Sequence, residues 1–113
     1  MADSETTIGE LKTAIRVFAV ERQWEPFHSP KNLVMALAVE VAELMEPMMW
    51  IDAEVSRKLT SEAVMRQALA DELADVTILI LNLSLSLDID VSDAVRAKLV
   101  KNAIKYPATA AGS

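Results

Sequence analysis

Apolar side chains recur at helical intervals along most of the chain, and the caps and prolines between them divide it into four predicted helices. Leu11, Ile15, Phe18 and Ala19 form a stripe in the first, the spacing that turns one helix face toward a core. Thr7 followed three residues later by Glu10 has the form of a capping box, so this helix is predicted to open there and to run to about Arg22. Residues 24–28 make a short connection. Ser29 and Pro30 supply an N-cap and a proline at the first helical position, opening a second helix with Leu33, Ala36, Leu37, Val41 and Leu44 on its apolar side. Pro47 has no N–H to donate to the carbonyl of Glu43, so this helix is predicted to kink or end there. Residues 51–60 are polar and read as a linker, and residues 61–87 as the third helix. Asp90 caps a fourth, from Val91 to about Lys105, which Tyr106 and Pro107 stop. The small residues at 108–113 are expected to form a disordered tail.

One stretch has a second period. Leu81, Leu83, Leu85, Leu87, Ile89 and Val91 alternate with polar residues, which by pattern alone is a half-buried strand. Leucine is a strong helix former, β-branched residues are few before Ile89, and no second strand exists to pair with it, so helix is predicted. A helix apolar on several sides is one buried on more than one side. The expected fold is therefore all-α, a four-helix bundle that oligomerises, with residues 1–113 as a single domain and a core of about 8–107.

Two acidic pairs interrupt these apolar faces: Glu40 and Glu43 in the second helix, Glu72 and Asp75 in the third. A spacing of three puts each pair about one turn apart on one side of its helix. Glu40 lies among Leu37, Val41 and Leu44, and Glu72 between Leu69 and Val76. No Lys or Arg occurs between Lys31 and Arg57, or between Arg66 and Arg96, so neither helix neutralises its own acids. Carboxylates that face a core without basic neighbours repel one another and pay heavily for lost solvation. A divalent cation resolves both problems, and a donor set of oxygens without Cys or a nearby His favours Mg2+, with Mn2+ as a substitute, over Zn2+.

Composition narrows the setting. The 113 residues are 52% apolar, enough excess to suggest that some apolar surface is covered by a second subunit. The longest apolar region, residues 76–87, is too short to span a bilayer, and the polar residues after Met1 do not form a signal peptide. Without cysteine there are no disulfides and no thiolate chemistry, and the expected compartment is the cytoplasm. A net charge of -6 with no concentrated basic patch argues against binding of polymeric nucleic acid, and leaves open a single nucleotide carried with its metal.

The segments Glu21 to His28, Pro30 to Leu33, Glu40 to Glu46 with Trp50 beyond, Asp71 to Val76, and Lys98 through Asn102 to Tyr106 and Pro107 together resemble the MazG-type all-α nucleoside triphosphate pyrophosphohydrolases, and among them the dCTP pyrophosphatase-like branch. The resemblance covers about residues 8–107. It implies a helical bundle, dimeric or tetrameric, in which the two acidic helices lie side by side and Glu40, Glu43, Glu72 and Asp75 hold Mg2+ and carry the catalysis. It also implies that Trp24, His28 and Trp50 lie near the base and sugar, and that Lys98 and Asn102 contact phosphate or position its neighbours. The implied reaction is hydrolysis between the α and β phosphates, giving a nucleoside monophosphate and pyrophosphate. Ile15 stands where some dCTP-preferring relatives carry a polar side chain toward the base, and Leu79 where an aromatic residue is expected. The base is thus left open.

Each of these residues also has a plainer role. Exposed acidic pairs are common on solvated helix faces, and Glu46 reads as a surface or supporting group. Trp24 and Trp50 could be packing residues or stacking platforms for a base, and His28 could simply cap a turn. Lys98, Lys101 and Lys105 suit a helix C-terminus whatever the function, and Met35, Met45, Met48 and Met49 suit core filling. Two functions compete: a Mg2+-dependent pyrophosphohydrolase of the nucleotide pool, and a non-catalytic helical bundle that binds a nucleotide or a partner helix. A di-iron bundle needs Glu-x-x-His motifs on facing helices, and the single His28 sits in a connection.

Overall fold

Thr7 opens the first helix as the capping box requires: its hydroxyl accepts from the N–H of Glu10 at 3.0 Å, and helix α1 runs Ile8–Glu21. The computed structural model describes residues 1–109. Helix α1 ends in a Schellman turn. Gln23 takes a left-handed conformation with φ 56°, its N–H bonds to the Val20 carbonyl at 3.1 Å, and the N–H of Trp24 reaches back to the Ala19 carbonyl at 3.0 Å. That reversal lays the indole of Trp24 against Phe18 of the preceding helix, with ring centroids 5.6 Å apart in an edge-to-face pair.

A 3-10 turn, Glu25–Phe27, leads to Ser29, whose hydroxyl caps helix α2, Pro30–Met45. The helix stops just before Pro47 and continues as the 3-10 turn Glu46–Met48, the end that a missing N–H dictates. The expected linker at 51–60 is more ordered than its polarity suggests. Asp52 caps a single turn, helix α3, Ala53–Ser56, and Leu59–Ser61 forms a further 3-10 turn before Glu62 caps helix α4, Ala63–Leu87. The alternating leucines are helical through Leu87. A second Schellman turn ends α4, with Asp88 at φ 53° and the Ile89 N–H bonded to the Ser84 carbonyl at 2.9 Å. Asp90 then caps helix α5, Val91–Lys105. The described residues are helical with no strand, the all-α architecture that the spacing predicts; of the expected disordered tail, residues 110–113 lie outside the described residues.

Helix α2 packs chiefly on α4, and α1 also packs on α4. Two long-range hydrogen bonds fasten the connections: Ser86 Oγ donates to the His28 carbonyl at 3.3 Å, and Lys12 Nζ to the Ile89 carbonyl at 3.2 Å. The core is small. Ala19, Leu33 and Leu81 are its buried apolar residues among the described residues, and Ser84 is its buried polar one. Helix α5 buries none of its side chains. The accessible surface, 8947 Å², exceeds the roughly 6,100 Å² expected of a compact monomer of this mass. The radius of gyration, 17.1 Å, likewise exceeds the roughly 13 Å expected for this length. No helix among the described residues is long and apolar enough to cross a membrane.

Candidate active site

The packing of α2 on α4 brings the two acidic pairs together. Single carboxylate oxygens of Glu40, Glu43 and Glu72 lie within 4.8 Å of one another. Glu40 and Glu72 are half-buried, and in each the Oε2 atom is fully enclosed with no hydrogen-bond partner. No basic side chain compensates them: the ion pairs among the described residues are Arg22 with Glu21 and Arg57 with Glu54, both away from this cluster. Asp75 is not in the three-oxygen group. It shares a cavity wall with Glu40 and acts on it through its charge.

The cluster is therefore short of positive charge, and its protonation reflects that. Glu40 ionises above the ordinary carboxylate value of 4.5, chiefly because a hydrogen bond to Glu72 forms only when one of the two holds a proton. Burial and the charges of Glu72 and Asp75 push the same way, while a hydrogen bond with Glu43 opposes them. Glu43 is also raised, first by the charge of Glu40. With both ionised, the enclosed oxygens have no donor at all. Unpartnered inward oxygens, all-oxygen chemistry and mutual repulsion together fit a hard divalent cation.

Two cavities flank the carboxylates. On one side a space of about 380 Å³ is lined by Glu43, Pro47, Met65, Ala68, Leu69, Asp71 and Glu72. On the other, a larger cavity of about 450 Å³ opens between α1, α2 and α4. Its small walls, Ala14, Ala19 and Ala36, make the room, and Ile15, Phe18, Ile78 and Leu79 make it apolar. Trp24 and His28 close one end, 6.4 Å apart between ring centroids, and Glu40 and Asp75 stand at another. An apolar, aromatic-edged recess beside a carboxylate cluster that could hold a metal ion suits a flat, uncharged group attached to an anionic one.

Not every expected residue reaches this place. Trp24, His28, Glu40 and Asp75 line the larger cavity, and Glu43 and Glu72 the smaller. Trp50, 88% exposed, borders neither. Lys98 and Asn102 lie on α5 and likewise line neither. Ile15 and Leu79, singled out for what they are not, do face the larger cavity. One lining residue carried no chemical reading in the sequence: Asn82. Its signal was present, for it lies seven residues after Asp75 on the same side of α4, on the helix line of Ile78 and Leu79.

The chain is similar in sequence and fold to known proteins. A family model described as MazG-like matches residues 35–113. The chain is 36% identical over 104 residues to dCTP pyrophosphatase 1 of Bos taurus, covering 92% of this chain and 62% of that protein. It is 39% identical over 110 residues to dCTP pyrophosphatase 1 of Homo sapiens, covering 96% of this chain and 64% of that one. The chain thus spans less than two thirds of the length of these relatives. A crystal structure of a pyrophosphatase from Archaeoglobus fulgidus superposes with a TM-score of 0.78 at 35% identity, covering 88% of this chain and 92% of that one. With the family model matching most of the chain and the fold shared nearly end to end, this protein belongs to the MazG-like family.

Proposed function

We propose that residues 8–107 form a Mg2+-dependent nucleoside triphosphate pyrophosphohydrolase that cleaves a deoxynucleoside triphosphate, such as dCTP or a modified relative, between its α and β phosphates in the cytoplasmic pool. The observation that carries this reading is the set of three glutamate oxygens within 4.8 Å, two residues of which turn a partnerless oxygen inward, beside an apolar cavity large enough for a base. Glu40, Glu43, Glu72 and Asp75 are the proposed metal ligands, with Mg2+ preferred and Mn2+ as a substitute. A divalent cation held there supplies neutralisation of the triphosphate charge and acidification of a water molecule. Trp24 and His28 hold the base end, so that the phosphates point toward the carboxylates. A glutamate not fully engaged in ligation accepts the proton of the attacking water, and fixing both reactants in line supplies much of the rate.

The same reading requires a second copy. Leu73 on α4 and Leu99, Val100 and Ile104 on α5 are exposed apolar side chains, and covering such surface is what a second copy would supply. In such a homodimer or tetramer, α5 with Lys98 and Asn102, and separately the turn after α2 with Trp50, are free to reach a neighbouring chain's site. Light scattering at micromolar concentration is expected to give at least twice the chain mass of 12.4 kDa; a stable monomer would contradict the assembly.

Incubation with a panel of ribo- and deoxynucleoside triphosphates, with and without Mg2+, tests the reaction class. Turnover of at least one triphosphate is expected with the metal and none in its absence. Binding without turnover would instead favour a nucleotide-binding protein on the same frame.

A further inference from the structure

The larger cavity can grip a base by its faces, but its walls offer almost nothing that tells one base from another. Ile15, Phe18, Ile78, Leu79 and the three alanines have no polar atom to give, and Glu40 and Asp75 belong to the charged end. His28 is stacked edge-on with Trp24 and is anchored through its carbonyl by Ser86. Apart from the Trp24 indole N–H and the His28 ring nitrogens, the neutral polar side chain in the wall is the carboxamide of Asn82. It is half-buried and makes no hydrogen bond among the described residues, although a carboxamide offers two donors and an acceptor. The amide atoms are not enclosed, unlike the Glu40 and Glu72 Oε2 atoms, so they are open to a ligand that presents an adjacent donor and acceptor.

Position along α4 strengthens the case. Asp75, Ile78, Leu79 and Asn82 follow the i, i+3, i+4, i+7 line of one helix face, so Asn82 stands about 10 Å along the axis from Asp75. That is comparable with the reach from an α phosphate through a pentose to the far edge of its base. We propose that Asn82 is the specificity-determining residue, reading the donor–acceptor edge of the nucleobase while Asp75 stands at the phosphate end of the same helix line. This rests on the pyrophosphohydrolase reading for its kinetic form only. Every base carries some donor–acceptor edge, and a carboxamide at one depth in an apolar wall selects the one whose pattern and depth it meets.

The test compares the parent with Asn82→Ala, which favours the helix, and with Asn82→Leu, which keeps the side-chain volume. Circular dichroism verifies that helical content is unchanged. With saturating Mg2+, kcat/KM is measured for the four deoxynucleoside triphosphates. The parent is expected to discriminate, and both variants to lower kcat/KM for the preferred substrate about tenfold to a hundredfold while changing the others little, so that the profile flattens. A parent without preference, a ranking that survives in both variants, or an equal fall for all four substrates would overturn the assignment. If no triphosphate is hydrolysed, the pyrophosphohydrolase reading fails by itself. Calorimetric binding of the four deoxynucleoside monophosphates with Mg2+ then decides the role of Asn82: selectivity that flattens in the variants upholds it, and absent or unchanged selectivity overturns it.

Discussion

Glu72→Ala is expected to lower kcat on the order of a thousandfold at saturating Mg2+ while leaving helical content intact. Glu72 contributes one of the two enclosed oxygens that lack any donor, and its side chain is the α4 partner of both α2 glutamates in the three-oxygen group. Deleting it removes a ligand and, in the metal-free protein, a source of repulsion. The variant should therefore lose activity without losing its melting temperature in EDTA, and Asp75→Ala is the direct comparison. Asp75 lies outside the three-oxygen group, so a similar loss there shows that a fourth carboxylate joins when metal and substrate are bound. Retention of most of the parent's kcat in both variants would remove the ligand assignment.

The second large effect is on stability. Glu40 and Glu43 ionise above their ordinary value of 4.5 in the folded chain, so between that value and their folded pKa values the folded state holds more protons than the unfolded state. By linkage, their contribution to stability is greatest at acidic pH and is lost as pH rises through the folded values. The metal-free protein should thus be weakened by this cluster at neutral and alkaline pH. A cation that binds only the folded, ionised cluster reverses the loss. Thermal melts in EDTA and in excess Mg2+ are expected to differ by several degrees at pH 8 and by much less at pH 5. An increment that is the same at both pH values would contradict a carboxylate site.

The helix ends were legible in the sequence because they depend on local hydrogen bonds. Thr7, Ser29 and Asp90 each cap the helix that they were expected to open, and Pro47 ends α2 through the N–H it lacks. The alternating leucines required a choice between periods, and the absence of any pairing strand decided it. The turn at Ala53–Ser56 was harder to foresee, because Asp52 as a cap is visible only once the flanking polar residues are not all taken as linker. The acidic pairs could be placed on their helices from spacing. That α2 and α4 would lie side by side was implied by the family resemblance, and packing of the two helices realises it. Distances across a site depend on helix rotation as well as spacing, which is why three carboxylates meet closely and Asp75 stands aside. Asn82 was overlooked because a polar residue in an apolar helix resembles a tolerated interruption until the cavity beside it is seen.

The most direct measurement of the central claim is the identity of the products. A carboxylate-held cation could serve attack at the α or the γ phosphorus, since both need the same residue types. The chain lacks a Gly-rich loop ending in Lys-Ser or Lys-Thr, the cradle used for γ-phosphate transfer, and the family resemblance points to the α phosphorus. Purified protein incubated with Mg2+ and its preferred deoxynucleoside triphosphate is expected to yield monophosphate and pyrophosphate in equal amounts, with orthophosphate appearing only after a separate inorganic pyrophosphatase is added. Direct release of orthophosphate and a nucleoside diphosphate would contradict the account.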